Sequence, residues 1–194
     1  MIPYGRAASL PRRRALSAPS SFFLAESARL AEAAARGPVI DLACGRGRHA
    51  LAAAELGACV LGLDRNPALL QELRAEARSR SLPLLPVRTD LETPHGIPVR
   101  SGSCGAIVVF RFLFRPLAPC ICEALAQGGL LLYETFTIHQ RDLSQKPTNT
   151  AFLLEEGELP ELFGGLQILS YWEGLSEGPR PEAMARLVAR KGTC

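Results

Sequence analysis

Lysine is almost missing from this chain of 194 residues: Lys146 and Lys191 are the only two, so 20 of the 22 basic residues are arginine. Those arginines are spread along the sequence, and nowhere do they form a basic stripe interleaved with aromatic side chains. With a formal net charge of only +3, a nucleic-acid-binding surface is not indicated. Histidine is equally sparse, with His49, His95 and His139 far apart. The six cysteines, Cys44, Cys59, Cys104, Cys120, Cys122 and Cys194, include no CxxC pair. Convergent Cys and His ligands for a zinc site are therefore not expected, and neither is a disulfide framework. Buried free thiols in a reducing compartment fit this pattern better. No apolar run approaches the ~20 residues of a membrane span, and internal repeats and low-complexity tracts are lacking.

What is there suits one α/β domain. The hydrophobic fraction of 47% is that of a globular chain, and a chain this long can bury roughly 70% of its unfolded surface without staples. No acid occurs before Glu26, whereas Arg6, Arg12, Arg13 and Arg14 stand among Ser and Ala. Residues 1–18 are expected to be a flexible basic arm, with residues 19–194 as the domain. A cytoplasmic location is expected, or the mitochondrial matrix if that arm is a transit peptide.

The expected elements alternate. A helix is expected over residues 25–35, a strand over 39–43, a helix over 48–56 stopped by Gly57, and a strand over 59–63 ending at Asp64. Asn66 and Pro67 form a helix start, since Asn caps orphan amides and Pro suits the first turn. That helix should run to about Arg80, burying Leu69, Leu73 and Ala77. Further strands are expected at 84–87, 106–110, 130–135, 166–172 and 184–190, with a helix over 117–127. Alternation of this kind requires parallel pairing with right-handed crossovers. The expectation is a Rossmann-like, doubly wound, mostly parallel sheet of seven strands whose C-terminal strand runs antiparallel.

In such sheets ligands bind beyond the carboxyl ends of the strands, where the strand order reverses. Gly45 and Gly47 follow the first strand and remove side chains where backbone must turn and approach a ligand. Asp64 lies nineteen residues after Gly45, at the end of the next strand, where a carboxylate can accept both hydroxyls of a ribose. This spacing also fits a nicotinamide-dinucleotide site. Asp41, inside the first strand, separates the two. A pyrophosphate has no use for a negative charge there, whereas a cofactor carrying an ammonium and a sulfonium does. Alternatives kept open are a nicotinamide-linked oxidoreductase and a catalytically silent module that keeps the pocket.

Residues 39–50 with 61–64 resemble the first two motifs of class I S-adenosylmethionine-dependent methyltransferases. Cys44-Gly45-Arg46-Gly47-Arg48, together with Pro19-Ser20-Ser21-Phe22-Phe23 upstream, resembles the tellurite-resistance-type small-molecule branch. Gly128-Gly129-Leu130 and Tyr133-Glu134-Thr135-Phe136 are similar to that branch's fifth-strand motif. The resemblance implies that S-adenosyl-L-methionine is the cofactor and that Asp41 and the Gly45–Gly47 backbone hold its amino-acid end. It further implies Asp64 on the ribose, Asp90 on the adenine amino group, the Leu91 amide on the ring, and Phe110 beside the methionine portion. The acceptor is expected to be a small molecule methylated by in-line displacement, with neither metal nor membrane involved. One departure stands out: Cys104-Gly105 replaces an aromatic–Asp pair before strand four, which puts local stability in question. Glu134, Tyr133, His139 and Arg111 are candidates for a base near the active face, and Arg48 for an anion contact. Residues 19–23 and 136–149 are expected to close over the cofactor.

Overall fold

The computed structural model describes residues 17–93 and 95–192. The arginines of the basic arm lie outside the described residues. Seven strands form one sheet in the order β3-β2-β1-β4-β5-β7-β6. They are β1 (Val39–Leu42), β2 (Val60–Asp64), β3 (Leu84–Arg88), β4 (Cys104–Phe110), β5 (Leu125–Phe136), β6 (Gln167–Leu175) and β7 (Ala183–Arg190). Strands β1 to β5 pair in parallel, and β7 runs antiparallel between β5 and β6. This is the expected Rossmann-like sheet. Among the described residues, no helix is long and apolar enough to cross a membrane.

Side chains alternate between the two faces of the sheet, as the period of a strand requires. Val39, Val108 and Leu132 meet Phe23, Leu30 and Ala53 on one face. Ile40, Ile107 and Leu131 meet Ile121, Leu159 and Phe163 on the other. The first face carries α1 (Ser21–Ala25), α2 (Ser27–Ala34) and α3 (Arg48–Glu55), and the second carries α5 (Ala118–Ala124) and α6 (Glu158–Leu162). Strands β1 and β4 are buried at every position, as strands covered on both faces must be. The edge strand β6 instead leaves Ile168, Leu169, Tyr171, Trp172 and Leu175 exposed.

Local differences from expectation have local causes. The single helix expected over residues 25–35 is two helices, α1 and α2, hinged at Glu26. Ser20 caps the first, its Oγ accepting from the Phe23 amide at 3.1 Å, and so moves the start upstream. In α4 (Pro67–Ser79) Asn66 caps as expected, accepting from the Ala68 amide at 3.0 Å. Its buried face is Leu70, Leu73 and Ala77, so Leu70 replaces Leu69 there. The helix expected over 117–127 stops at Ala124 because Leu125 already pairs with Cys104.

Strand β4 begins two residues early, at the Cys104-Gly105 departure. Cys104 is fully buried, and a Cβ on Gly105 would meet the Ala33 and Gly37 carbonyl oxygens at 2.4 and 2.5 Å. The pair is therefore fitted to the close passage of the α2–β1 turn, where a larger residue would force backbone apart.

Candidate cofactor site

The strand order reverses between β1 and β4, and the crevice expected there is present. Two cavities flank Ala43 at the carboxyl ends of the strands. One, of about 440 Å³, is lined by Ser17, Asp41, Ala43, Cys44, Arg48, His49, Phe110 and Arg111. The other, of about 190 Å³, is lined by Ala43, Asp64, Arg65, Thr89, Asp90, Leu91, Glu92 and Phe112. Ala43 itself holds a positive φ of 54°, which turns the chain out of β1 between them.

The loop after β1 is built on two glycines with different duties. Both are left-handed, at φ +56° for Gly45 and +77° for Gly47. A Cβ on Gly47 would strike Leu73 Cδ1 at 2.3 Å, whereas one on Gly45 would meet nothing within 4 Å. Gly47 is thus required by packing beneath α3, while Gly45 leaves an open approach to the backbone. Asp64 ties the loop down: Oδ2 accepts from the Gly45 amide at 2.7 Å and Oδ1 from the Asn66 amide at 2.8 Å.

Asp41 lies almost wholly buried, at 2% exposure, and its Oδ2 accepts from the Ala50 amide at 2.9 Å. Burial pushes its pKa up to about 7, against the pull of that amide and of the Arg48 charge. Arg48 shares the cavity and donates through Nη1 to the Ala18 carbonyl at 3.3 Å. Burial and the neighbouring Arg111 charge lower its proton affinity. An acid and a base thus line the same cavity, a match for the ammonium and carboxylate of an amino acid.

Phe110, at the end of β4, stacks on His49 with ring centroids 3.7 Å apart and forms part of that cavity's wall. Asp90 and Leu91 lie in the smaller cavity with Asp64. Asp90 also shapes its own turn, its Oδ1 accepting from the Glu92 amide at 3.0 Å. The seven expected cofactor residues are therefore gathered around one crevice, with Gly47 serving it through the turn.

The candidates for a base are dispersed. Tyr133 sits on the opposite face, donates to the Phe112 carbonyl at 2.9 Å, and is pushed by burial to a raised pKa. His139 borders a separate cavity of about 430 Å³ with Thr137, Glu156, Tyr171 and Glu173. Glu134 and Arg111 remain on the cofactor side. Glu134 Oε2 accepts from Arg186 Nε at 2.8 Å, and Arg111 is paired with Glu182 and lies over the Phe136 ring. The Cys44 thiol is pushed up by burial and by the charges of Asp41 and Asp64, which favours the neutral thiol over the nucleophilic thiolate.

Sequence reasoning missed His49 and Arg186 as site residues, whereas Phe22 falls in the segment expected to close over the cofactor. Arg186 lies over both Phe22 and Trp172, at 5.9 and 4.7 Å from the ring centroids. Its only sequence signal is the antiparallel register that sets Glu134 opposite Arg186.

Comparison with known proteins agrees with this geometry. A family model described as "Methyltransferase domain" matches residues 39–129. A search of curated protein sequences finds no match. Among solved structures, TehB from Haemophilus influenzae is similar with a TM-score of 0.70 at 22% identity over 86% of this chain. This chain spans 62% of the length of TehB. A putative S-adenosylmethionine dependent methyltransferase from Listeria monocytogenes is similar at a TM-score of 0.67 and 17% identity, with 88% of this chain and 98% of that one covered. Another from Mesorhizobium loti has a TM-score of 0.64 and 17% identity, with 80% of this chain and 92% of that one covered. Residues 39–129 thus match a methyltransferase domain, on a fold similar to that of S-adenosylmethionine dependent methyltransferases.

Proposed function

We propose that the chain methylates a small-molecule acceptor by direct in-line displacement. The observation that carries this reading is the pair of cavities either side of Ala43, one bordered by Asp41 and Arg48 and the other by Asp64 and Asp90. S-adenosylmethionine supplies, when bound, an electrophilic methyl on a sulfonium whose departure needs no further activation. The protein's task is then chiefly positioning.

In this reading Asp41 takes the ammonium and Arg48 lies within the same cavity for the carboxylate. Asp64 keeps lone pairs for the ribose hydroxyls, because each of its oxygens accepts only one amide. Asp90 and the Leu91 amide take the adenine edge, and Phe110 fixes the methionine chain by its ring. Arg111, Glu134, Arg186 and Phe22 surround the space left for the acceptor. Residues 17–23 already cover one side of that space, Ser17 at the cavity and Phe22 6.1 Å from Phe110 between ring centroids. Exclusion of water around the transferring methyl favours a positioned small acceptor. Glu134 is held by Arg186 as an ion pair, which orients both side chains toward the same wall.

The test is to denature the purified protein and identify by mass any copurifying S-adenosyl compound, then to screen acceptors for release of S-adenosylhomocysteine. Turnover on a small thiol, oxyanion or metabolite supports the reading. Turnover confined to protein or nucleic-acid acceptors overturns it.

A further inference from the structure

Residue His49 stands in the first turn of α3, one position after Arg48, and is only 3% exposed. A buried polar ring needs partners. It stacks on Phe110 at 3.7 Å and lies 5.2 Å from Phe23 between ring centroids. Its one hydrogen bond among those described is unusual in direction: the Ser20 backbone amide donates to His49 Nε2 at 3.2 Å. That bond requires Nε2 to be unprotonated and places the ring proton on Nδ1. Burial, with the Arg48 and Arg111 charges beside it, pushes the imidazole pKa down to about 3, so the acceptor form is the standing one.

The amide concerned belongs to the segment that reaches the cavity. Ser20 caps α1, and the residues before it run across the mouth of α3. There Ala18 takes the Arg48 guanidinium, and Ser17 borders the same cavity as Asp41 and His49. Two consecutive side chains of α3 thus grip one backbone segment, residues 17–20, from beneath.

We propose that His49 is a positioning residue that latches residues 17–20 over the amino-acid end of the cofactor by accepting the Ser20 amide. It does not touch the reacting atoms. It acts through Ser20 to keep Ser17 and Ala18 at the cavity, and through Phe110 to keep that wall in place. The proposal rests on the reading that the amino-acid end lies beside Asp41 and Arg48.

The backbone offers a clean way to remove the bond from either side. Ser20 has a φ of −66°, the angle proline imposes, so Ser20→Pro deletes the amide without bending the chain. Ser20→Ala, which loses the same capping hydroxyl but keeps the amide, is its reference. From the other side, His49→Phe keeps an aromatic ring against Phe110 but removes the acceptor, and His49→Gln restores an acceptor oxygen.

Calorimetric affinities for S-adenosylhomocysteine and for 5′-methylthioadenosine, which lacks the amino-acid end, are measured on the full chain and each variant. Ser20→Pro relative to Ser20→Ala, and His49→Phe relative to the unmodified chain, should weaken S-adenosylhomocysteine by roughly threefold to tenfold, the range of a neutral hydrogen bond. Methylthioadenosine affinity should stay the same, His49→Gln should recover most of the loss, and amide exchange of residues 17–24 should quicken in His49→Phe while that of β1 does not. Equal affinities in the two Ser20 variants, or equal loss of both nucleosides in His49→Phe, would overturn the latch. If the unmodified chain binds the two nucleosides equally well, the amino-acid end does not lie where the proposal needs it, and the proposal falls with that placement.

Discussion

Buried carboxylates tend to keep a proton, and Asp41 is balanced between the two states, with its pKa pushed up to about 7. If it takes the cofactor's ammonium, it must bind as the anion. Affinity for S-adenosylhomocysteine should therefore rise between pH 5.5 and about 7 and level off above, when followed by calorimetry. Asp41→Asn should bind more weakly and show a flat profile over that range; a profile unchanged by the substitution would remove the ammonium assignment. The free protein should respond in the opposite sense. Because the folded pKa lies above the unfolded one, the protonated form favours the folded chain. Stability relative to Asp41→Asn should fall as pH rises from about 4 to about 7. Asp64 poses a simpler case: charge-assisted hydrogen bonds are worth about 1.5–3 kcal/mol. Asp64→Ala should weaken S-adenosylhomocysteine binding roughly tenfold or more, and unchanged affinity would separate Asp64 from the ribose. Asp41, Gly45 and Asp64 were legible in the sequence because their chemistry and spacing are local to one strand–loop–helix unit. His49 was not, because its partner Ser20 lies 29 residues upstream and no spacing rule connects an imidazole to a distant amide.

Between β1 and α3 the two loop glycines should separate folding from binding. Gly47→Ala must displace the buried Leu73 side chain and hold a left-handed φ. It should cost about 2–4 kcal/mol of stability, seen as a lower melting temperature. Gly45→Ala has open space around the new Cβ, so it should cost only about 1–2 kcal/mol from its backbone angle. Its larger effect should be on S-adenosylhomocysteine affinity, measured by calorimetry on the folded variant. If Gly45→Ala destabilised the chain as much as Gly47→Ala and bound normally, the open approach at Gly45 would have no role in binding. At this scale the sequence was informative about which elements exist and weaker about their ends. The strand–helix alternation and the Asn66 cap are read from turn residues and periodicity, and the antiparallel last strand from the Gly/Pro-rich turn before it. The α1–α2 break and the early start of β4 depend instead on packing, on Phe23 sinking into the core and on Gly105 passing under the α2–β1 turn.

The molecule as a whole divides its labour across the sheet. Strands β1 to β4, with the loops and the α3 start at their carboxyl ends, carry every lining residue of the two cavities beside Ala43 but Ser17, and this stretch falls within the part matched by the methyltransferase family model, residues 39–129. Glu134 on β5, which falls in the Tyr133–Phe136 motif, is held by Arg186 on β7, and no local motif announces Arg186. That arrangement has a consequence in the order of synthesis. Because β7 inserts between β5 and β6, β5 has no partner on its outer side until residues 183–190 have emerged from the ribosome, and Glu134 waits for Arg186 over the same interval. Nascent chains stalled with residue 182 just outside the exit tunnel should remain protease-sensitive and hold chaperones, since an open strand edge invites pairing with other chains. Chains stalled with residue 190 clear of the tunnel should become resistant in one step. The Glu134–Arg186 pair is thus completed by the ribosome long after the loop between β1 and α3 has been made.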